Sequence, residues 1–397
     1  MIVYADNAAT TRTSDRAVQA MLPYFTTEFG NPSSLHTHGQ NAKEALETAR
    51  ESVAQALGCT PREIYFTSGG TESDNMAIRT AAYFGARKNK RHIISTTFEH
   101  HAVLHTLKRL EKEGFEVTLL DVGPMGTVTA EQVRDAIRED TALVTIMYAN
   151  NEIGSILPIC QIGEVCRACG VLFHTDAVQA VGHLPMDVVA DHVDLLSLSG
   201  HKFHGPKGVG ALYIRKGIPP MNVLEGGAQE RGKRPGTENL PGIMGMAQAL
   251  KDACGALDET AGYVTALRDR LIQGLSQIPH SVLNGDPVNR LPGNVSFCFE
   301  GIEGESLLLL LDSKGIRASS GSACTSGSLD PSHVLLAIGR PHEIAHGSLR
   351  LSLCEDNTPE QVDYIIESVK EVVGYLRSIS PVWRDLVTGK RQYITKE

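Results

Sequence analysis

The stretch at 195–216, LLSLSGHKFHGPKGVGALYIRK, joins an apolar run to a loop rich in reactive groups. The run ends at Ser199, and Lys202 follows between His201 and Phe203 among glycines and a proline. A lysine amine has a free pKa of about 10.4, and burial beside other cations lowers that pKa and makes the amine a usable nucleophile and base. Lys202 is therefore a candidate Schiff-base lysine, and the alternative is a lysine of a surface loop.

The stretch TSGGTES at 67–73 follows a predicted strand and opens a predicted helix. Its glycines, Gly70 among them, let backbone N–H groups approach a ligand, and the N-terminus of a helix favours an anion. Thr71 adds a hydroxyl. The Gly-x-Gly-x-x-Gly fingerprint of dinucleotide sites is absent, so a monophosphate fits better. Taken alone, the motif is equally consistent with an ordinary helix cap at Thr71 or Ser73.

The stretch FHTDAVQA at 173–180 places Asp176 at the end of a predicted buried strand. A carboxylate there is costly unless it is paired, and a protonated ring nitrogen is the partner that an Asp has in enzymes of pyridoxal 5'-phosphate (PLP). Capping of the next helix is the alternative. Gln179 follows on the same face of that turn. A phosphate cradle, a ring-nitrogen partner and Lys202 in this order predict a PLP site, with Ser199 and His201 near the phosphate.

The elements that carry these residues predict an α/β fold. Between about 60 and 215, apolar β-branched runs alternate with helical patterns, and the runs are too uniformly apolar for a one-sided sheet. We therefore expect a sheet with helices on both faces, whose ligands gather beyond the carboxyl ends of the strands. Five predicted strand ends carry polar residues, at 68–73, 99–101, 150–152, 176–179 and 199–202.

After about residue 260 the pattern changes to a smaller α+β unit. We predict an N-terminal segment (1–14) that joins the small domain, a large PLP-binding domain (15–259) and a small C-terminal domain (260–397). The last contains ASSGSACTSGSLDPS at 318–332, almost all small residues around Cys324. Such a composition predicts a mobile loop, on which a cysteine is a poor structural choice and a good carrier.

Composition excludes several classes of function. With 397 residues and 42% hydrophobic content the chain can bury a sizeable core, and a net charge of −9 argues against a nucleic-acid-binding surface. The sequence contains neither an apolar run of about 18 residues nor a secretory signal, so we expect a cytoplasmic protein that makes no contact with membranes. The eight cysteines are scattered, which favours reduced thiols. Cys166 and Cys169 have no matching second pair, so zinc is a weak interpretation.

Motifs spread over nearly the whole chain carry a family resemblance. They are YADNAATTR, FGNPSSLH, FTSGGTESDN, EHHAV, NNEIG, HTDAVQAVG, SGHKFHGPKG, QERGKRPGTEN, SSGSACTSGS and HGSLRLSL. Together they resemble cysteine desulfurases of the NifS/IscS type, which are PLP enzymes of fold type I in the class V aminotransferase family. The resemblance implies a mostly parallel seven-stranded sheet flanked by helices, with a smaller α+β domain.

The resemblance also implies a role for each matching residue. Lys202 resembles the lysine that binds PLP, His100 the acid–base residue stacked on the ring, Asp176 the partner of the ring nitrogen and Gln179 that of the phenolic oxygen. The remaining roles are phosphate contacts for Gly70, Thr71, Ser199 and His201, a cofactor and substrate-carboxylate contact for Asn151, a substrate-carboxylate contact for Arg350, and a phosphate contact for Thr237 from the other subunit of a homodimer.

In the family that the chain resembles, a loop cysteine takes sulfur from L-cysteine, which gives L-alanine and an enzyme persulfide. Cys324 matches it, and the sulfur would pass to an iron–sulfur scaffold or another acceptor protein. No resident metal site is expected, and Cys324 is a potential ligand of a transferred iron–sulfur cluster. A selenocysteine lyase or a cysteine sulfinate desulfinase of the same fold is the alternative. Cys354 departs from the Gly or Ser usual at its position.

Overall fold

The computed structural model describes residues 1–320 and 331–395. Cys324 lies outside the described residues, as does most of the loop predicted at 318–332. The described strands are β1 (Val3–Tyr4), β2 (Ile64–Thr67), β3 (His92–Thr96), β4 (Glu116–Leu120), β5 (Thr141–Thr145), β6 (Leu172–Asp176), β7 (Leu195–Ser199), β8 (Gly210–Ile214), β9 (Ser281–Leu283), β10 (Asn294–Phe299), β11 (Ile316–Arg317) and β12 (Ser348–Ser352).

Helices precede, separate and follow these strands. They are α1 (Asp15–Met21), α2 (Pro23–Thr26), α3 (Thr37–Leu57), α4 (Gly70–Ala86), α5 (His101–Glu111), α6 (Ala130–Ala136), α7 (Ile159–Ala168), α8 (Gln229–Gly232), α9 (Leu240–Gly255), α10 (Leu257–Leu275), α11 (Gly304–Ser313), α12 (His333–Ala337), α13 (His342–Ala345), α14 (Pro359–Ile379) and α15 (Pro381–Val387), with 3-10 turns at Pro61–Glu63 and Gly200–Lys202. No helix in the described ranges is long and apolar enough to cross a membrane.

The large sheet has seven strands in the order β2-β8-β7-β6-β5-β3-β4. Only β8 runs antiparallel to its neighbours, and every other pair is parallel. All seven strands lie between about 60 and 215, where the apolar runs were predicted to form the sheet. The expectation of a mostly parallel sheet is confirmed.

Both faces of this sheet are buried, which explains the continuous apolar runs. Successive side chains of a strand point to opposite faces. Ile93 packs in one core cluster with Met76 of α4, while Ile94 packs in another cluster with Val53 of α3. The expected layers of helices on both faces are therefore present.

A three-stranded antiparallel sheet, β12-β10-β9, forms a second core with α10, α11 and α14. The N-terminus belongs to this core, because β1 pairs in parallel with β11 and Val3 is buried in the same cluster. The domain boundaries at 14 and 259 stay a prediction.

The residues that follow β1 connect the two sheets, and we call residues 6–14 the strap. Near the small sheet, the Asn7 amide donates to the Ser352 carbonyl at 2.9 Å. Near the large sheet, the Thr11 N–H donates to the carbonyl of His201 at 2.9 Å. The strap therefore lies against the loop that contains Lys202.

Candidate active site

A cavity of about 410 Å³ opens at the carboxyl ends of the large sheet's strands. All five predicted strand-end segments contribute to its wall, together with the strap and β12. Ten of the predicted site residues line it: Gly70, Thr71, His100, Asn151, Asp176, Gln179, Ser199, His201, Lys202 and Arg350. Thr237 is exposed and does not line this cavity.

One end of the cavity suits an anion. Helix α4 begins there at Gly70, and no side chain caps it, so its first N–H groups are available to a ligand. A side chain at residue 70 would collide with Val178, since a Cβ would lie 2.7 Å from its Cγ2. Burial and the charges of Lys202 and Lys207 lower the pKa of His201 to about 4, so this imidazole is a neutral hydrogen-bonding group at the wall of the cavity.

Two buried carboxyl groups stand behind the middle of the cavity. Asp176 accepts from the N–H of Val178 at 3.0 Å, and burial raises its pKa. Burial and the charge of Asp176 raise the pKa of Asp74 well above its usual range, and Asp74 Oδ1 has no hydrogen-bond partner among the described atoms. The next side chain inward, His174, is neutral, because burial lowers its pKa to about 3. A cation in the cavity would therefore stabilise the charged form of Asp176.

Lys202 and Gln179 are held by the strap. The Lys202 amine donates to the carbonyls of Ala8 at 2.6 Å and Ala9 at 2.9 Å. The Gln179 amide donates to the same Ala8 carbonyl at 2.9 Å. These contacts place the amine at the wall of the cavity and fix its direction.

Arg350 presents an anion-binding group from the small sheet. Its side chain is only 2% exposed, and Nη2 donates to Asp6 Oδ1 at 3.0 Å while Nη1 lies 3.4 Å from the Asn151 carbonyl. The Nε atom is buried without a hydrogen-bond partner among the described residues. A buried donor without a partner costs roughly 1–3 kcal/mol, so a carboxylate ligand would remove that cost.

The acid–base groups at the opposite wall come from α5 and the β5–α7 connection. His100 caps α5, with Nδ1 accepting from the N–H of Ala102 at 3.1 Å, so the neutral ring carries its proton on Nε2. Burial raises the pKa of Glu99 to about 8 and that of Glu152 to about 7. The Ser332 hydroxyl donates to Glu152 Oε2 at 2.5 Å. Groups that hold a proton near neutral pH therefore surround the cavity.

Sequence reasoning missed several of these groups. Glu99 and Glu152 lie in the predicted strand-end segments but received no role, since a carboxyl beside a strand end does not reveal its burial. The only sequence feature that pointed to a role for Asp74 was its position directly after the phosphate motif. The strap carbonyls belong to the backbone, so the residue types Ala8 and Ala9 gave no indication of their role, although the motif YADNAATTR contains them.

The residues of the cavity fit PLP. The uncapped start of α4 with Ser199 and Thr71 suits the phosphate, and Asp176 suits a protonated ring nitrogen. Lys202 supplies an amine at the same wall. The described cavity thus has groups for the phosphate, the ring nitrogen and the aldehyde of the cofactor.

Comparison with known proteins gives the class of this chain. Residues 3–365 match the model of the "Aminotransferase class-V" family. The chain belongs to this family.

Particular relatives narrow the comparison to the NifS/IscS type, which confirms the resemblance seen in the motifs. "Cysteine desulfurase IscS" of Methanosarcina thermophila is 57% identical over 380 residues, 96% of this chain and 94% of that protein. A solved structure of a NifS-like protein superposes with a TM-score of 0.89 at 42% identity, over 95% of this chain and all of that one. A structure of SspA in complex with cysteine matches with a TM-score of 0.79 at 36% identity, over 88% of this chain and 98% of that one.

Proposed function

We propose that the protein is a PLP-dependent cysteine desulfurase that removes the sulfur of L-cysteine, releases L-alanine and carries the sulfur on Cys324 as a persulfide. The observation that carries this proposal is the meeting of Lys202, Asp176 and Arg350 in one cavity. Relatives at 57% and 52% identity over nearly the whole chain bear the name cysteine desulfurase, which supports it.

Arg350 and Asn151 would bind the substrate carboxylate. The free Nε donor of Arg350 and its fixed guanidinium plane give that carboxylate one orientation. Asp6 keeps the guanidinium in place through Nη2 and leaves Nε available to the substrate carboxylate. A bound amino acid would then have its amine and Cα toward Lys202.

Lys202 and His100 would move the protons. Once PLP is bound, it supplies an electron sink for the bonds around the substrate Cα. The Lys202 amine takes the Cα proton and later returns one, and its two strap carbonyls stabilise the protonated amine between these events. His100 offers a proton from Nε2 on the other side of the cavity.

The sulfur step balances without an added oxidant or reductant. The Cβ–Sγ bond of L-cysteine breaks, and a bond forms between that sulfur and Cys324 Sγ. L-Cysteine and the Cys324 thiol are consumed, and L-alanine and the Cys324 persulfide are formed. An acceptor such as an iron–sulfur scaffold protein then takes the outer sulfur.

We also propose a cytoplasmic homodimer with shared sites. Thr237 is exposed on its own chain, so a phosphate contact for it would have to be made in a partner's cavity. The exposed apolar side chains of Leu22, Phe25, Phe29 and Leu35 near the N-terminus are consistent with a covered surface.

The test is incubation of the purified protein with L-cysteine in the absence of reductant. We expect L-alanine together with one extra sulfur atom on the peptide that contains Cys324, as measured by mass spectrometry. The variant Cys324→Ala should lose the modification, while Cys169→Ser, which changes an exposed cysteine elsewhere, should keep it. Alanine without sulfur on Cys324 would contradict the carrier step, and neither product would contradict the activity.

A further inference from the structure

Three side chains that can bind a metal meet outside the active-site cavity. His204 follows Lys202 in the loop between β7 and β8, while Cys354 and Glu355 follow β12, the strand of Arg350. One ligand atom from each residue lies within 4.8 Å of the other two. None of the three lines the cavity described above. We call them the His–Cys–Glu cluster.

The spacing within the cluster suits a tetrahedral ion. His204 Nε2 and Glu355 Oε2 are 3.5 Å apart. Zinc bonds to nitrogen and oxygen are about 2.0–2.2 Å long, so two such ligands of a tetrahedral site are separated by about 3.4 Å. The existing separation therefore needs little adjustment.

The ring of His204 is held in the tautomer that a metal requires. Its Nδ1 is 3.0 Å from the carbonyl oxygen of Arg12, which can only accept, so Nδ1 carries a proton. Burial lowers the pKa of His204, but its contacts with Cys354 and Glu355 raise that pKa to about 10, so an ion that binds takes the place of the Nε2 proton. The Nε2 atom is buried and faces Cys354 and Glu355, with Glu355 Oε2 3.5 Å away. Metal-binding histidines commonly donate their other N–H to a carbonyl in this way.

One side of the His–Cys–Glu cluster is exposed to solvent. Cys354 is 8% exposed and the His204 side chain 15%, whereas the Glu355 side chain is 47% exposed. An ion can thus enter from solvent and keep one water as its fourth ligand. A thiolate, a carboxylate and a neutral imidazole balance two positive charges, and a mixed S, N and O set suits Zn²⁺.

We propose that His204, Cys354 and Glu355 form a binding site for one Zn²⁺ ion per chain. The ion would tie the loop that follows Lys202 to the loop that follows Arg350. It would therefore link the two sheets that together build the active-site cavity.

The test measures Zn²⁺ binding to the full-length, PLP-loaded protein after treatment with a chelator. In competition with a chromophoric chelator, we expect the wild type and Cys169→Ser to bind one Zn²⁺ per chain. Cys354→Ser should bind at least about a hundredfold more weakly, since even residues behind the ligands contribute ten- to a hundredfold. With Co²⁺ in place of Zn²⁺, the thiolate-to-cobalt absorption should be present in the wild type and absent from Cys354→Ser.

Further variants separate a lost ligand from a lost fold. His204 has a φ of 62°, which Asn tolerates well, so His204→Asn removes the ligand with little backbone strain. It should show the same loss of Zn²⁺ while keeping the absorption spectrum of bound PLP. Equal Zn²⁺ affinity in the wild type and Cys354→Ser would overturn the proposal. So would binding that survives in Cys354→Ser but disappears in Cys324→Ala, since the ion would then belong to the other thiol.

Discussion

Arg350 is the residue for which the structure makes the most direct kinetic prediction. Replacement by Lys keeps the charge but removes the Nε donor and the planar fork. Hydrogen bonds to charged groups contribute about 1.5–3 kcal/mol, so we expect the KM for L-cysteine to rise about tenfold to a hundredfold with a smaller change in kcat.

Steady-state kinetics of Arg350→Lys provide the measurement. Arg340→Lys is the matched control, because the Arg340 guanidinium contacts Asn284 and Leu283 away from the cavity. An unchanged KM in Arg350→Lys would contradict the assignment of the substrate carboxylate to this side chain.

Glu152 gives the site a pH-dependent stability. Burial raises its folded-state pKa to about 7, above the ordinary glutamate value of 4.5. Between pH 4.5 and 7 the unfolded chain loses this proton while the folded chain keeps it, so stability falls as the pH rises through that window. Glu152→Gln stays neutral, and its free energy of unfolding relative to the wild type should rise by up to about 3 kcal/mol across the window.

Urea unfolding at pH 5 and pH 8, with PLP bound to both proteins, measures this difference. Glu44→Gln changes an exposed carboxyl of α3 and serves as the control. If the difference in unfolding free energy between the wild type and Glu152→Gln is the same at pH 5 and pH 8, the pKa of Glu152 is not raised.

At the scale of elements, a buried ion pair fixes the segment that precedes Thr237. Arg50 of α3 binds both carboxylate oxygens of Glu230 at 2.8 and 2.7 Å, and Glu230 also accepts from the N–H of Phe66. The segment is strained, since Glu230 and Arg231 have φ values of 46° and 59°. The pair thus holds in place a conformation that the chain would otherwise avoid.

Breaking this pair should be costly. Glu230→Gln leaves the buried Arg50 charge with only the half-exposed Glu47 as a carboxylate partner, 3.3 Å from its Nε, and we expect a loss of about 3–5 kcal/mol in unfolding free energy. Glu116→Gln removes one of the two carboxylate partners of the exposed Arg138, the other being Asp140, and should change stability by less than about 1 kcal/mol. Similar denaturation midpoints for the two variants would contradict this account.

The elements also show how far sequence reasoning reaches. The strands of the large sheet were predictable because both of their faces are apolar, and their order placed Asp176 and Lys202 at the same edge. The strap was not predictable as a wall of the site, since its contacts join residues as distant as Asn7 and Ser352. Local pattern carries no information about such pairs.

At the scale of the whole molecule, shared sites predict complementation between two inactive or impaired variants. A dimer of one Lys202→Ala chain and one Thr237→Ala chain has one cavity with both residues intact, if Thr237 acts in the partner's site. Loss of one hydrogen bond to the charged phosphate should weaken PLP binding by about tenfold to a hundredfold in Thr237→Ala alone.

Co-expression of the two chains with different affinity tags isolates the mixed dimer. Its PLP affinity at the single competent site should equal that of the wild type, with about half the activity. The Thr237→Ala homodimer is the control. If the mixed dimer shows the weakened affinity of that control, Thr237 acts within its own chain.

The strap also sets the order in which a newly made chain can complete its site. Asn7 and Ser352 are separated by 345 residues. At about 5–20 residues per second, a ribosome needs roughly 20–70 s to synthesise the intervening chain. The strap therefore gains the anchor that Ser352 provides for Asn7 and Ala8 only after β12 has been made. A nascent chain that stalls before β12 has the large sheet but lacks Arg350, so its cavity stays unfinished until β12 has been synthesised.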